Sequence, residues 1–158
     1  MIRFATLLVA LVPLSVVTAD DAKEKEVKAE LEKLKGKWKQ FSVETEGKEK
    51  ILPAMAEVVV TIDGDKWKTV NPVTTTESTL TIDPSQTPKA MDRVRKGAAG
   101  AEQGVIDKCI YKLDGDTLTV CSGSTRMIGV PIDGKAERPK EFNTVNGGWI
   151  VVYKRVKE

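Results

Sequence analysis

The chain has 158 residues, 25 Lys and Arg against 23 Asp and Glu, a formal net charge of +2, and no histidine. That near-balance supplies no global field for nucleic acid or an anionic membrane surface. The missing imidazole excludes Ser-His and Cys-His nucleophile activation and every zinc site that uses histidine.

Residues 1–19 read as a signal peptide. Arg3 gives a positive start, Phe4 to Val17 an apolar stretch broken by Pro13, and Val17-Thr18-Ala19 the small residues before a cut. The stretch falls short of the ~20 apolar residues of a membrane span, so no stable membrane anchor is expected. No cysteine at the cut points to a lipoprotein. The expected product is exported, secreted or periplasmic, and begins at Asp20 after cleavage near Ala19. Losing Arg3 leaves 24 bases against 23 acids, a net charge of +1. About 139 residues remain, the size of one domain.

Residues 20–35 read as an amphipathic helix. Val27, Leu31 and Leu34 recur at i, i+4 and i+7 among Lys and Glu, and Gly36 is a stop. This narrow apolar stripe, with balanced charges around it, suits a helix packed over one end of a small domain.

Residues 36–158 form the predicted domain, and from Trp38 onward the pattern is β. Runs rich in Val, Ile, Thr and aromatics are broken by Gly, Pro, Asn and Asp. The predicted strands are 37–45, 57–63, 66–71, 74–82, 105–113, 117–122, 140–145 and 148–156. Eight strands with hardly any helix between them favour an all-β, mainly antiparallel barrel or sandwich. Residues 92–104 and 123–137 read as long connections, with Arg93-Val94-Arg95-Lys96 in a solvated loop.

Two segments echo each other, Ile62-Asp63-Gly64-Asp65 and Leu113-Asp114-Gly115-Asp116. Asp-Gly between strand-like runs signals a hairpin. Taken as the two-residue loop, it pairs Val60 with Trp67 and Tyr111 with Leu118. One face of each hairpin is then apolar: Val58, Val60, Ile62 and Trp67 in the first, Cys109, Tyr111, Leu113, Leu118 and Val120 in the second. In an oxidising compartment Cys109 and Cys121 invite a bridge, but this register sets them on opposite faces of one sheet, which disfavours it. An intermolecular bond stays open.

No catalytic constellation is present. The Asp-Gly-Asp carboxylates are explained by turn chemistry, and no Asp-x-Asp-x-Asp-Gly calcium loop, nucleophile elbow or phosphate loop occurs. No enzyme activity, metal or cofactor is expected, and no nucleic-acid partner. Arg126, Lys135, Arg138 and Lys140 cluster near Pro139. They fit either a turn with Arg paired to a carboxylate or an anion-recognising rim, with Arg126 and Arg138 as its candidates.

Several motifs, in order, carry a resemblance: Leu34-x-Gly36-x-Trp38 with Glu46-Gly47-Lys48, and Ile82-Asp83-Pro84 through Pro88-Lys89-Ala90-Met91-Asp92. Ile110-Tyr111-Lys112-Leu113-Asp114-Gly115-Asp116-Thr117-Leu118 and Arg138-Pro139-x-x-Phe142 follow, closing at Arg155. Over about 35–157 the chain resembles an uncharacterised lipocalin-like family expanded in planctomycete bacteria. Cys109 departs from it, since members usually have glycine before the Ile-Tyr.

The resemblance implies an exported, lipocalin-like eight-stranded β-barrel and no established activity. It also implies a barrel-closing pair, Trp38 and Arg155, with the guanidinium lying across the indole. The expected function is a non-catalytic module binding a small apolar or amphipathic molecule, with Val58, Val60, Trp67, Tyr111 and Leu118 as pocket candidates. The alternative is a structural or protein-interaction module whose barrel is filled by its own side chains. Eight strands permit either, and no protein partner is specified.

Overall fold

The computed structural model describes residues 19–51, 57–95, 105–123, 137–144 and 148–157. The expected signal peptide, apart from Ala19, lies outside them, as do Arg126 and Lys135.

Helix α1 spans Ala19–Leu34, with Asp20 and Asp21 in its first turn and Lys33 in its last, the charge order that suits a helix dipole. Its final bond runs from Lys35 N to Leu31 O (2.9 Å). Gly36, at φ 128°, then turns the chain into the sheet. No described helix is long and apolar enough to cross a membrane.

Nine strands follow among the described residues: β1 Gly36–Thr45, β2 Lys48–Ile51, β3 Val59–Asp63, β4 Lys66–Val70, β5 Thr75–Asp83, β6 Lys89–Arg95, β7 Val105–Asp114, β8 Thr117–Ser122 and β9 Trp149–Arg155. All pair antiparallel, in the order β2-β1-β3-β4-β5-β6-β7-β8-β9, and β9 returns to β1. Eight strands therefore close a barrel, the expected fold class. The ninth, β2, lies on the upper half of β1, opposite Ser42–Thr45, while β3 pairs with the lower half.

The two echoed hairpins form with their loops one residue later than expected. Gly64-Asp65 and Gly115-Asp116 are the turns, so Ile62 faces Trp67 and Leu113 faces Leu118. Asp63 and Asp114 stay in the ladder, and among the loop residues only the glycines take positive φ (58° and 53°), as in a type II′ turn. The pairs Val60–Trp67 and Tyr111–Leu118 are thus displaced by two residues. Because side chains alternate with period two, every one keeps its face.

Three expectations on the strands are corrected. Residues 140–144 form no strand, because they cross the barrel wall instead of joining its ladder. The stretch expected as connection from 92 begins inside β6, so Arg93 is 5% exposed and Arg93-Val94-Arg95 is sheet, not solvated loop. The short β2 was not expected: all four of its residues are exposed, so they carry no apolar alternation to read.

One hydrophobic core lies inside the barrel. Leu34, Trp38, Val60, Ile62, Trp67, Leu80, Ile82, Met91, Cys109, Tyr111, Leu118, Val120, Val151 and Tyr153 pack together, with Val27 and Leu31 of α1 resting on one end. A smaller cluster, Ile110, Cys121 and Ile150 under Phe142, lies on the outer wall.

Candidate functional site

At the end covered by α1, Trp38 and Arg155 are cross-strand partners, and the guanidinium carbon lies 4.0 Å from the indole centroid. Trp38 Nε1 donates to Leu34 O (2.8 Å), while Arg155 donates to Lys35 O (2.6 Å) and Lys33 O (2.7 Å). One cation thus satisfies carbonyls that a helix C-terminus otherwise leaves unpaired. Glu30, 3% exposed, ties the C-terminal part of the helix to β6 through Lys89, pairs with Lys33 on its own helix, and accepts from Tyr111 Oη at 3.4 Å. Burial would raise the Glu30 pKa, but these two lysines hold it below the ordinary value.

The pocket candidates lie inside the barrel, apart from Val58, which is half-buried just before β3. Val60 and Leu118 have 0% exposure, Tyr111 1% and Trp67 2%. A side chain without accessible surface touches neither solvent nor an internal void large enough for water. The structure brings these residues together as core, against Trp38, Leu80, Met91 and Tyr153.

Towards the other end of the barrel, an ion pair occupies the interior. Arg93 and Asp107 face each other across β6 and β7 and form a buried salt bridge, and Ser122 Oγ donates to the second carboxylate oxygen. The guanidinium lies over Trp67 (5.0 Å) and Trp149 (5.5 Å). Among the described residues, Arg93 Nε is the buried side-chain nitrogen or oxygen without a hydrogen-bond partner. Burial would raise the Asp107 pKa, but Arg93 and Ser122 outweigh it and hold the carboxyl below its usual range. Burial also pushes the Cys109 thiol up to about 12, despite the neighbouring Arg93. Such a thiol is protonated and inert at neutral pH.

Sequence reasoning missed the Arg93–Asp107 pair because a charged residue facing inward breaks the apolar alternation that marks a strand. The available signal was their complementary charge at matching positions of adjacent runs.

Arg138 lies on the outer wall. Its Nη1 donates to Cys109 O (2.6 Å) and Met91 O (3.1 Å), and Nη2 to Asp92 Oδ1 (2.7 Å). Its donors are directed into the wall, the arrangement of an arginine paired to a carboxylate; Arg126, the other rim candidate, lies outside the described residues. A polar cavity of about 450 Å³ opens beside it, lined in part by Ser122, Gly123, Arg138, Lys140 and Glu141. Gly123 and Gly148 pass so close to the Glu137 and Ser122 carbonyls that a Cβ at either would collide.

Both cysteines are free. Cys109 faces the interior and Cys121, across from Ile110, the outer wall, on opposite faces as expected. Among the described residues no group of three or more Cys, Asp and Glu is placed to hold a metal ion. The chain matches no protein-family model, no curated protein and no solved structure.

Proposed function

We propose that this protein is an exported, non-catalytic β-barrel module with a packed interior, working through its outer surface and not by carrying a ligand in its lumen. The observation that carries this reading is the state of the pocket candidates: Val60, Trp67, Tyr111 and Leu118 are 0–2% exposed and packed against one another's neighbours. Beyond them the Arg93–Asp107 pair crosses the interior, with the guanidinium between Trp67 and Trp149. A pocket for an apolar molecule requires accessible apolar lining; Val60, Tyr111 and Leu118 offer almost none, and the cavity of about 360 Å³ that Trp67 borders is otherwise lined by polar residues of β3–β5 such as Thr61, Lys68 and Ser78. The lipocalin-like resemblance and the leader-like residues 1–19 support the exported barrel as a reading of sequence.

A panel of fatty acids, sterols and aromatic dyes, titrated against tryptophan fluorescence, tests it. No saturable binding by the folded protein is expected. A stoichiometric site that quenches Trp67 and vanishes with Val60→Trp would overturn the packed interior in favour of a ligand carrier. Export is tested separately, by N-terminal sequencing of extracytoplasmic material: Asp20 is the expected first residue, and an intact Met1 refutes it.

A further inference from the structure

The outer face of a small barrel is ordinarily solvated, yet here one row across it is buried. Ala90, Ile110, Cys121 and Ile150 are register neighbours on β6, β7, β8 and β9, and Ile150 continues to Glu44 on β1. The first four are 0–7% exposed. A carboxylate stands near each end of the row, Asp92 on β6 and Glu44 on β1.

Residues 138–144 lie along this row as a strap. Arg138 pairs with Asp92 at one end (2.7 Å). Phe142 covers Ile110, Cys121 and Ile150, with Lys112 Nζ 5.1 Å from its ring centroid. Cys121 Sγ lies 3.8 and 3.6 Å from the Glu141 and Asn143 carbonyl oxygens. At the far end Thr144 Oγ1 donates to Glu44 (2.9 Å) and accepts from Gly47 N (2.7 Å).

The strap adds no rung to any ladder. Side-chain anchors hold it at positions 138, 142 and 144, and it bends at 140–142, where Asn143 N donates to Glu141 O (3.0 Å) and presents Phe142 to the wall.

We propose that this row is a peptide-binding groove occupied in cis by residues 138–144, and that the strap opens as a unit to admit a partner segment of the same chemistry and the same bend. That chemistry is a cation four residues before an aromatic ring, with a hydroxyl two residues beyond it. Its complement is on the page: carboxylate, apolar floor, carboxylate. The proposal deepens the surface-interaction reading above and rests on it, and it makes the strap an autoinhibitory contact.

The two cysteines report on it separately. Cys121 lies under the strap and Cys109 inside the core, so an uncharged maleimide read by intact mass distinguishes strap opening from global unfolding. In the full chain under native conditions Cys121 should label while Cys109 stays protected. Arg138→Ala should speed Cys121 labelling at least tenfold without exposing Cys109. A synthetic peptide of residues 137–144, in millimolar excess, should slow the labelling of that variant at least threefold, and the Phe142→Ala version of the peptide should not. If Arg138→Ala fails to fold, wild-type protein in sub-denaturing urea gives the same comparison.

A single common rate for both cysteines overturns the opening strap. Selective labelling that the peptide leaves unchanged overturns the groove. Binding of an apolar dye inside the barrel would refute the packed interior and leave both labelling results as they are, so the two readings fail separately.

Discussion

Asp107→Asn should be among the most damaging single changes in this protein. The substitution keeps the shape of the side chain and an acceptor for Ser122 Oγ, but it leaves the Arg93 guanidinium, with only 6% of its side chain exposed, without a counter-charge. Two unit charges about 4 Å apart attract by about 4 kcal/mol at an effective dielectric near 20. Removing one member of a buried pair typically costs about 3–5 kcal/mol. The retained amide acceptor argues for the lower end, about 3 kcal/mol, against a total stability on the order of 5–15 kcal/mol. With a urea m-value of about 2 kcal/mol/M, the midpoint followed by tryptophan fluorescence should fall by about 1.5 M. Replacing both partners, Arg93→Met with Asp107→Leu, should recover most of the loss.

The same pair predicts a pH dependence. The folded-state pKa of Asp107 lies below its unfolded value, so its contribution is fully present above about pH 4 and fades as pH falls through the folded-state value. Asp107→Asn should flatten that part of the acid limb, while Glu30, also lowered, keeps the rest of the slope. A midpoint shift under about 0.5 M at pH 7, with an unchanged acid limb, would refute the energetic role given to the pair.

Trp38→Ala should cost about 3–5 kcal/mol as truncation of a fully buried aromatic, and Arg155→Ala about 1–2 kcal/mol for its stacking and two carbonyl bonds. In chemical denaturation the double variant should lose less than the sum of the singles; strict additivity would mean that the two do not act together. Gly36→Ala should destabilise by about 1–3 kcal/mol, because φ 128° is strained for any Cβ and the added methyl would meet Arg155 Nη1 at 3.0 Å. A melting temperature within a degree of wild type would contradict that.

The barrel was legible in the sequence where side chains alternate cleanly. Val60, Ile62 and Trp67 in one hairpin, and Tyr111, Leu118 and Val120 in the other, show their inward face by alternation. That face survives a two-residue error in register. The displacement follows because Asp63 and Asp114 finish their strands and glycine alone takes the left-handed conformation, which moves the loop from Asp-Gly to Gly-Asp. Strand β6 was illegible because Lys89–Arg95 mixes charge with apolar residues, and its inward Arg93 makes sense only beside Asp107, fourteen residues later. The apolar Phe142 imitates a strand residue, but the wall it packs on comes from three strands, and no local pattern encodes that. Trp38 and Arg155 were legible as a pair through family resemblance. The carbonyls that Arg155 caps follow from the helix stopping at Leu34 and were not foreseen.

The capping of α1 by Arg155 has a consequence for the order of folding. The two bonds from its guanidinium to Lys33 and Lys35 join residues 122 and 120 positions apart. The end of α1 therefore cannot be secured until β9 has joined the sheet. Strand β1 waits on the same event, since β9 supplies one of its edges along most of its length. Closure across nearly the whole chain is the slow, high-contact-order kind. A nascent chain lacking β9 would have its first strand half-paired and its helix terminus open. Capping the helix and closing the barrel are therefore one event and not two.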